Sequence, residues 1–225
     1  MKIRYTILCL LLACFATAAQ AVELNSKDRD PKYVESIVKR SQKIVDKLGI
    51  ADTTVAGQVR NIIANRYFEL NDIYEVRDAK VKEIKESGIT GTEKDNAIKA
   101  ANAVKDAALY RSHFAFPAAL SLYISEKQIT AVKDGMTYGV VKVTYDATLD
   151  MIPSLTDEEK AQIYAWLVEA REFAMDAENS NKKHEAFGKF KGRINNYLAG
   201  RGYDLNKERQ EWYKRIEERK AQKKK

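Results

Sequence analysis

The chain of 225 residues contains only three prolines and ten glycines. Between these breakers run long segments whose apolar residues recur at the helical period. Proline and glycine are the main local punctuators of regular structure, so their scarcity predicts a few long helices rather than a sheet. The first predicted helix opens at Asp30-Pro31, a capping side chain followed by a proline whose missing N–H is harmless at the first helical position. Its stripe is Val34, Ile37, Val38, Ile44, Val45 and Leu48, and Gly49 ends it. The second runs from about Asp52 to Glu86, roughly 50 Å long. A third, rich in alanine, begins at Thr92-Glu93-Lys94-Asp95 and is expected to bend or break near Pro117, where a backbone hydrogen bond is lost. Ser125 and Thr156 each lie three residues before a Gln or Glu, which is the capping-box spacing. The helix opened at Thr156 carries Ile163, Trp166, Leu167, Ala170 and Phe173, and another over 180–199 presents Phe187, Phe190, Ile194 and Leu198.

One stretch breaks the pattern. "KDGMTYGVVKVTYDATLDMIPSLTDEE", from Lys133 to Glu159, holds a β-branched run between two glycines and a proline. Its brief alternation predicts an extended segment near 139–146. The expectation is an all-α, single-domain bundle of about six or seven helices with that one short extended interruption. The helical domain spans 22–205, and a charged C-terminal helix with a basic tail follows over 206–225.

Residues 1–21 read as a signal peptide. Lys2 and Arg4 precede the apolar run "TILCLLLACFATA", too short to span a membrane, and Ala19-Gln20-Ala21 supplies small residues at a cleavage position. Cleavage after Ala21 and delivery to the periplasm or medium are expected. The alternative is a lipid anchor on Cys14, through "LLAC". Both cysteines, Cys9 and Cys14, lie in this leader, so the remaining chain has no disulfide, thiolate nucleophile or cysteine metal site. Loss of Lys2 and Arg4 lowers the formal charge from +7 to +5. That mild excess reads as a solvated basic surface, and no nucleic-acid partner is expected.

Several residue patterns bear on function. Arg66 and Arg77 fall on the apolar face of the second helix, where a guanidinium needs partners. Either they line a pocket for an anionic or hydroxyl-rich ligand, or they form internal salt bridges. Gly188 and Gly192 share a helix face with Asn196, flanked by His184 and Asn195, and so imply close approach by another helix or by a flat ligand. His113 and His184 lack partners at metal-ligand spacing. No nucleophile elbow, phosphate loop or dinucleotide fingerprint is present, so no cofactor or metal is expected. The sequence leans against an enzyme, although Asp134, Asp146, Asp150 or Glu169 could pair in space for glycan chemistry. Tyr138 and Tyr145, beside the extended segment, are candidate faces for stacking on a sugar, whereas Trp166 reads as core.

"VKDGMTYGVVKVTY", "SLTDEEKAQIYAWLVEAREFAMDA" and "KKHEAFGKFKGRINNYLAGRGYDL", with "IIANRYFELNDI" upstream, resemble an uncharacterised domain-of-unknown-function family. Its members are small exported proteins of Gram-negative bacteria, often encoded beside polysaccharide-utilisation genes. The resemblance implies carbohydrate binding, and it brings no established site residues. The "ISEKQ" and "LTDEE" starts are also similar to the LTxxQ-type motif of small periplasmic helical chaperones, a spelling shared by any good helix cap. The leading expectation is a non-catalytic carbohydrate-binding or accessory protein. Its alternatives are a protein-interaction or chaperone-like scaffold acting on another exported protein, and a glycan hydrolase or lyase. The expected ligand site is the junction of the extended segment with the second and sixth helices: Arg66, Asp134, Tyr138, His184, Arg193 and Asn195.

Overall fold

The computed structural model describes residues 21–222. The expected leader and its cleavage position, with Cys9 and Cys14, lie outside the described residues, apart from Ala21. Eight helices make up the described chain, which contains no strand: α1 Pro31–Val45, α2 Thr53–Glu86, α3 Gly91–Ser121, α4 Glu126–Met136, α5 Val140–Met151, α6 Asp157–Met175, α7 Ser180–Gly200 and α8 Leu205–Gln222. The all-α, single-domain expectation holds.

The caps explain most boundaries. Asp30 accepts from the N–H groups of Lys32 and Tyr33, with Pro31 in the first turn. Ser125–Gln128 and Thr156–Glu159 both close complete capping boxes. The start of α3 differs from the expectation, because Thr90 precedes it without a side-chain cap bond. Pro117 does not break α3, which continues to Ser121. The lost bond falls in the last turns, where the helix is already held by Phe116 and Leu120 in the core.

The extended segment expected at 139–146 is instead α5. Tyr138 and Gly139 both take left-handed backbone angles, φ 61° and 66°, and this tight reversal ends α4 and starts α5. The alternation in "VVKVTY" was the wrong period. Val141, Tyr145 and Leu149 are spaced by four, and all three pack into the core formed with α6 and α7. Burial along that face outweighs the modest helix penalty of valine and threonine.

Two large apolar clusters result. One gathers α1, α2, the end of α3 and α4 around Val59, Ile63, Leu120, Val132 and Met136. The other gathers α5, α6 and α7 around Ile163, Leu167, Phe187, Ile194 and Leu198. Gly135 lets α1 and α4 approach, since a Cβ there would meet Ile44 at 3.0 Å. Irregular chain precedes α1: Val22 and Leu24 turn inward while Ala21, Glu23 and Asn25 are exposed. We call Val22–Arg29 the strap. Its backbone is bonded along one face of α2. Val22 N–H donates to Gln58 Oε1, and Asn61 Nδ2 donates to the Val22 carbonyl at 2.8 Å. Asn65 exchanges bonds with the Glu23 carbonyl and the Asn25 N–H, each 2.8 Å.

Among the described residues, none packs closely against the glycine face of α7. A Cβ on Gly188 or Gly192 would meet nothing within 4 Å, so neither helix nor loop makes the close approach expected from the sequence. Gly188→Ala and Gly192→Ala are each expected to raise the unfolding free energy by about 1 kcal/mol, as urea denaturation will measure. A decrease would show that some group does press on that face.

Candidate functional site

Arg66 is 2% exposed and lies at the centre of the molecule's polar interior. Its guanidinium donates to Glu69 Oε2 at 2.6 Å, Ser112 Oγ at 2.7 Å and Asp176 Oδ1 at 2.6 Å. Asp176 follows α6 and is shared further. Its other carboxylate oxygen meets His113 Nδ1 at 2.7 Å, and its carbonyl accepts from the Tyr74 hydroxyl at 2.8 Å. Burial, reinforced by Glu178 and Asp176, pushes the Tyr74 phenol up to about 12. Glu172, one turn back on α6, lies 3.8 Å from His113 Nε2 and accepts from Lys133 at 2.7 Å. Burial opposes the Glu172 charge, but Lys133 and Arg171 outweigh it and hold the carboxyl below its usual range. Arg171 completes the chain by donating to Asp134 at 2.9 Å. Helices α2, α3, α4 and α6 are thus joined by one ionic network. Arg77, the second arginine on the α2 stripe, pairs with Glu178 at 2.9 Å.

Of the six residues expected to form the ligand site, the structure brings some together. Tyr138 and His184 stack with ring centroids 5.8 Å apart and 17° between planes. Asp134 lies on the turn of α4 just before Tyr138, since its carbonyl accepts from the Gly139 N–H. Tyr138 holds a left-handed φ that a bulky residue rarely adopts. Arg66 belongs to the buried network, one residue of which, Asp176, influences Lys183 beside His184. Arg193 and Asn195 are farther along α7. Arg193 lies over the Trp166 ring at 4.6 Å and reaches Glu169 at 3.4 Å, while Asn195 is exposed. The candidate acids are dispersed: Asp146 bonds Lys142, Asp150 bonds Arg219 and Trp212, and Asp134 bonds Arg171.

A concavity among the described residues lies elsewhere. A groove of about 780 Å³ runs between α2 and α3, bordered along its length by the strap. Its floor is apolar, with Ile62, Phe116, Ala119 and Tyr123, and Ala115 leaves it open. Asn25, Asn65, Arg29, Asp72, Glu69 and Arg111 supply polar groups around it. Of the six residues expected from sequence, only Arg66 lines this groove. Its remaining polar walls carry no local sequence pattern, because they come from the strap and from single positions on two helices. The small-residue series Ala108, Ser112, Ala115 and Ala119 on one face of α3 was the available signal. An apolar floor with a few converging polar groups is the usual character of a small-ligand site.

The family model described as "Protein of unknown function (DUF3826)" matches residues 34–218. The chain belongs to this family, as the resemblance in its sequence implied. No curated protein matches the chain in sequence.

Lys183 is buried beside this network, and its ammonium is 3.4 Å from the Met175 carbonyl. Burial lowers its pKa to about 8; Asp176 opposes the shift, and Arg40 and Arg66 add to it. The folded chain therefore binds this proton more weakly than the unfolded chain, whose lysine titrates near 10.5. The stability contributed by Lys183 is lowest below pH 8 and rises between about pH 8 and 10.5. Lys183→Met is expected to raise the unfolding free energy at pH 7 by up to ~3 kcal/mol. The gain should shrink above pH 8 in urea titrations, and destabilisation at pH 7 would show that the bond to Met175 dominates.

Proposed function

We propose that this is an exported, non-catalytic helical protein that binds carbohydrate in the α2–α3 groove and serves polysaccharide utilisation. The observation that carries the reading is the groove itself. Its apolar floor, with the half-buried Tyr123 ring, suits the C–H face of a sugar ring. The amides, carboxylates and guanidinium groups at its edge suit hydroxyls, which both donate and accept. Export is supported by the leader-like first 21 residues, and the periplasm or medium is the proposed destination. No helix among the described residues is long and apolar enough to cross a membrane.

The Tyr138–His184 stack is a second place for a sugar face, in line with the site expected from sequence. The scaffold reading draws on a different observation. Val104, Tyr110 and Phe114 of α3 are more than half exposed, and the outer parts of α2 and α3 bury only Ile84 and Ala101. A partner protein would cover those residues and leave the groove empty.

Calorimetry against a panel of neutral and acidic oligosaccharides tests the assignment. Ala115→Trp, at an exposed position on the groove floor, is expected to weaken saccharide binding at least tenfold, by filling space the ligand needs. Binding indifferent to that substitution, but lost in Tyr138→Ala, would move the site to the α4–α5 turn. Absence of binding across the panel would refute the carbohydrate reading.

A further inference from the structure

The polar groups around the groove are unequally occupied, and the difference points to the ligand's charge. Three guanidinium groups line it, those of Arg29, Arg66 and Arg111, against two carboxylates, those of Glu69 and Asp72. Arg29 is taken by Asp72 in a two-pronged pair, 2.8 and 2.6 Å. Arg66 is taken by Glu69, Ser112 and Asp176. Arg111 makes no hydrogen bond or ion pair among the described residues, and it is carried by α3, whereas the strap lies along α2. After the internal pairs cancel, one guanidinium remains facing the groove.

The strap adds a second cation once the leader is removed. Val22 lines the groove, and both of its backbone polar groups are fixed, the N–H on Gln58 and the carbonyl on Asn61. Cleavage after Ala21 converts that N–H into an α-ammonium, charged at neutral pH because its ordinary pKa is about 7.7–8.0. Gln58 satisfies one of its three protons. Two remain, on a nitrogen held in place by the strap's amide bonds to α2. An anionic chain lying in the groove would therefore meet a fixed ammonium at the end marked by Gln58 and Asn61 and, near Ser112, a guanidinium unpaired among the described residues. Carboxylate and sulfate both accept bidentate hydrogen bonds from the planar fork of arginine.

We propose that the groove takes an anionic saccharide, bearing carboxylate or sulfate groups, held between Arg111 and the α-amino group of Val22. This rests on the carbohydrate reading of the groove and on cleavage after Ala21. It names the substrate class that this reading leaves open, and it makes the new amino terminus part of the site.

The test uses the protein purified after export, with its amino terminus established by intact mass. Calorimetry compares three oligomers of equal length: galacturonate, sulfated galactose and neutral galactose. At least one anionic oligomer is expected to bind tenfold or more tightly than the neutral one, and the stronger of the two identifies the anion. Raising the salt from 50 to 500 mM should reduce that affinity by about tenfold. Arg111→Gln should lower it roughly 10- to 100-fold, the worth of hydrogen bonds to a charged group, while Arg111→Lys restores part of the loss. A chain carrying two extra residues before Val22 should also bind the anion less well. Equal binding of neutral and anionic oligomers, blocked by Ala115→Trp but indifferent to Arg111→Gln, would overturn this proposal and leave the carbohydrate reading standing. No binding of any oligomer would overturn both. An amino terminus other than Val22, with anion binding intact, would overturn the role given to the α-amino group.

Discussion

The ion pair between Arg66 and Asp176 joins residues 110 positions apart and ties the first half of the bundle to the second. A guanidinium at 2% exposure is tolerable only because its terminal nitrogens have hydrogen-bond acceptors. Those acceptors come from three elements: Glu69 on α2 itself, Ser112 on α3, and Asp176 at the end of α6. Asp176 in turn engages His113 and Tyr74. The spacing of α2 and α3 is thus set by polar contacts as well as by packing. That spacing defines the groove, because Arg66 and Ser112 both line it.

The network also accounts for how two apolar clusters form one domain. The cluster around Val59 and Val132 and the cluster around Leu167 and Phe187 have few direct contacts between them. Met175 reaches from α6 into the first cluster. Around it lie Lys133–Glu172, Arg171–Asp134 and the buried Lys183, all at the same junction. Removing one member of such a network leaves a buried charge without its partner, which is more damaging than replacing both. Function placed in the groove would therefore depend on residues that never touch the ligand.

Much of the fold was legible in the sequence because local signals and burial agreed. Asp30-Pro31, Ser125–Gln128 and Thr156–Glu159 state their helix starts, and the structure uses all three. Where the two signals conflicted, burial prevailed. "VVKVTY" alternates on paper, but Val141, Tyr145 and Leu149 share a buried helical face. Arg66 on an apolar stripe announced a buried polar site, yet sequence could not distinguish an internal pair from a ligand contact. Its partner Asp176 is one acid among 32. The groove was less legible still. Its walls combine a strap held by amides on α2 with alanines on α3, and no local pattern shows that 22–29 lies beside 58–72.

Arg66 acts as an internal tie, and the groove is its consequence. The most direct test is a double-mutant cycle in urea denaturation, using Arg66→Met, Asp176→Asn and the two combined. Each single substitution should destabilise by about 3–5 kcal/mol, and the pair should be coupled by at least ~2 kcal/mol. Effects that add to within about 0.5 kcal/mol would contradict the account, since independent residues cannot be the tie that sets the spacing of α2, α3 and α6.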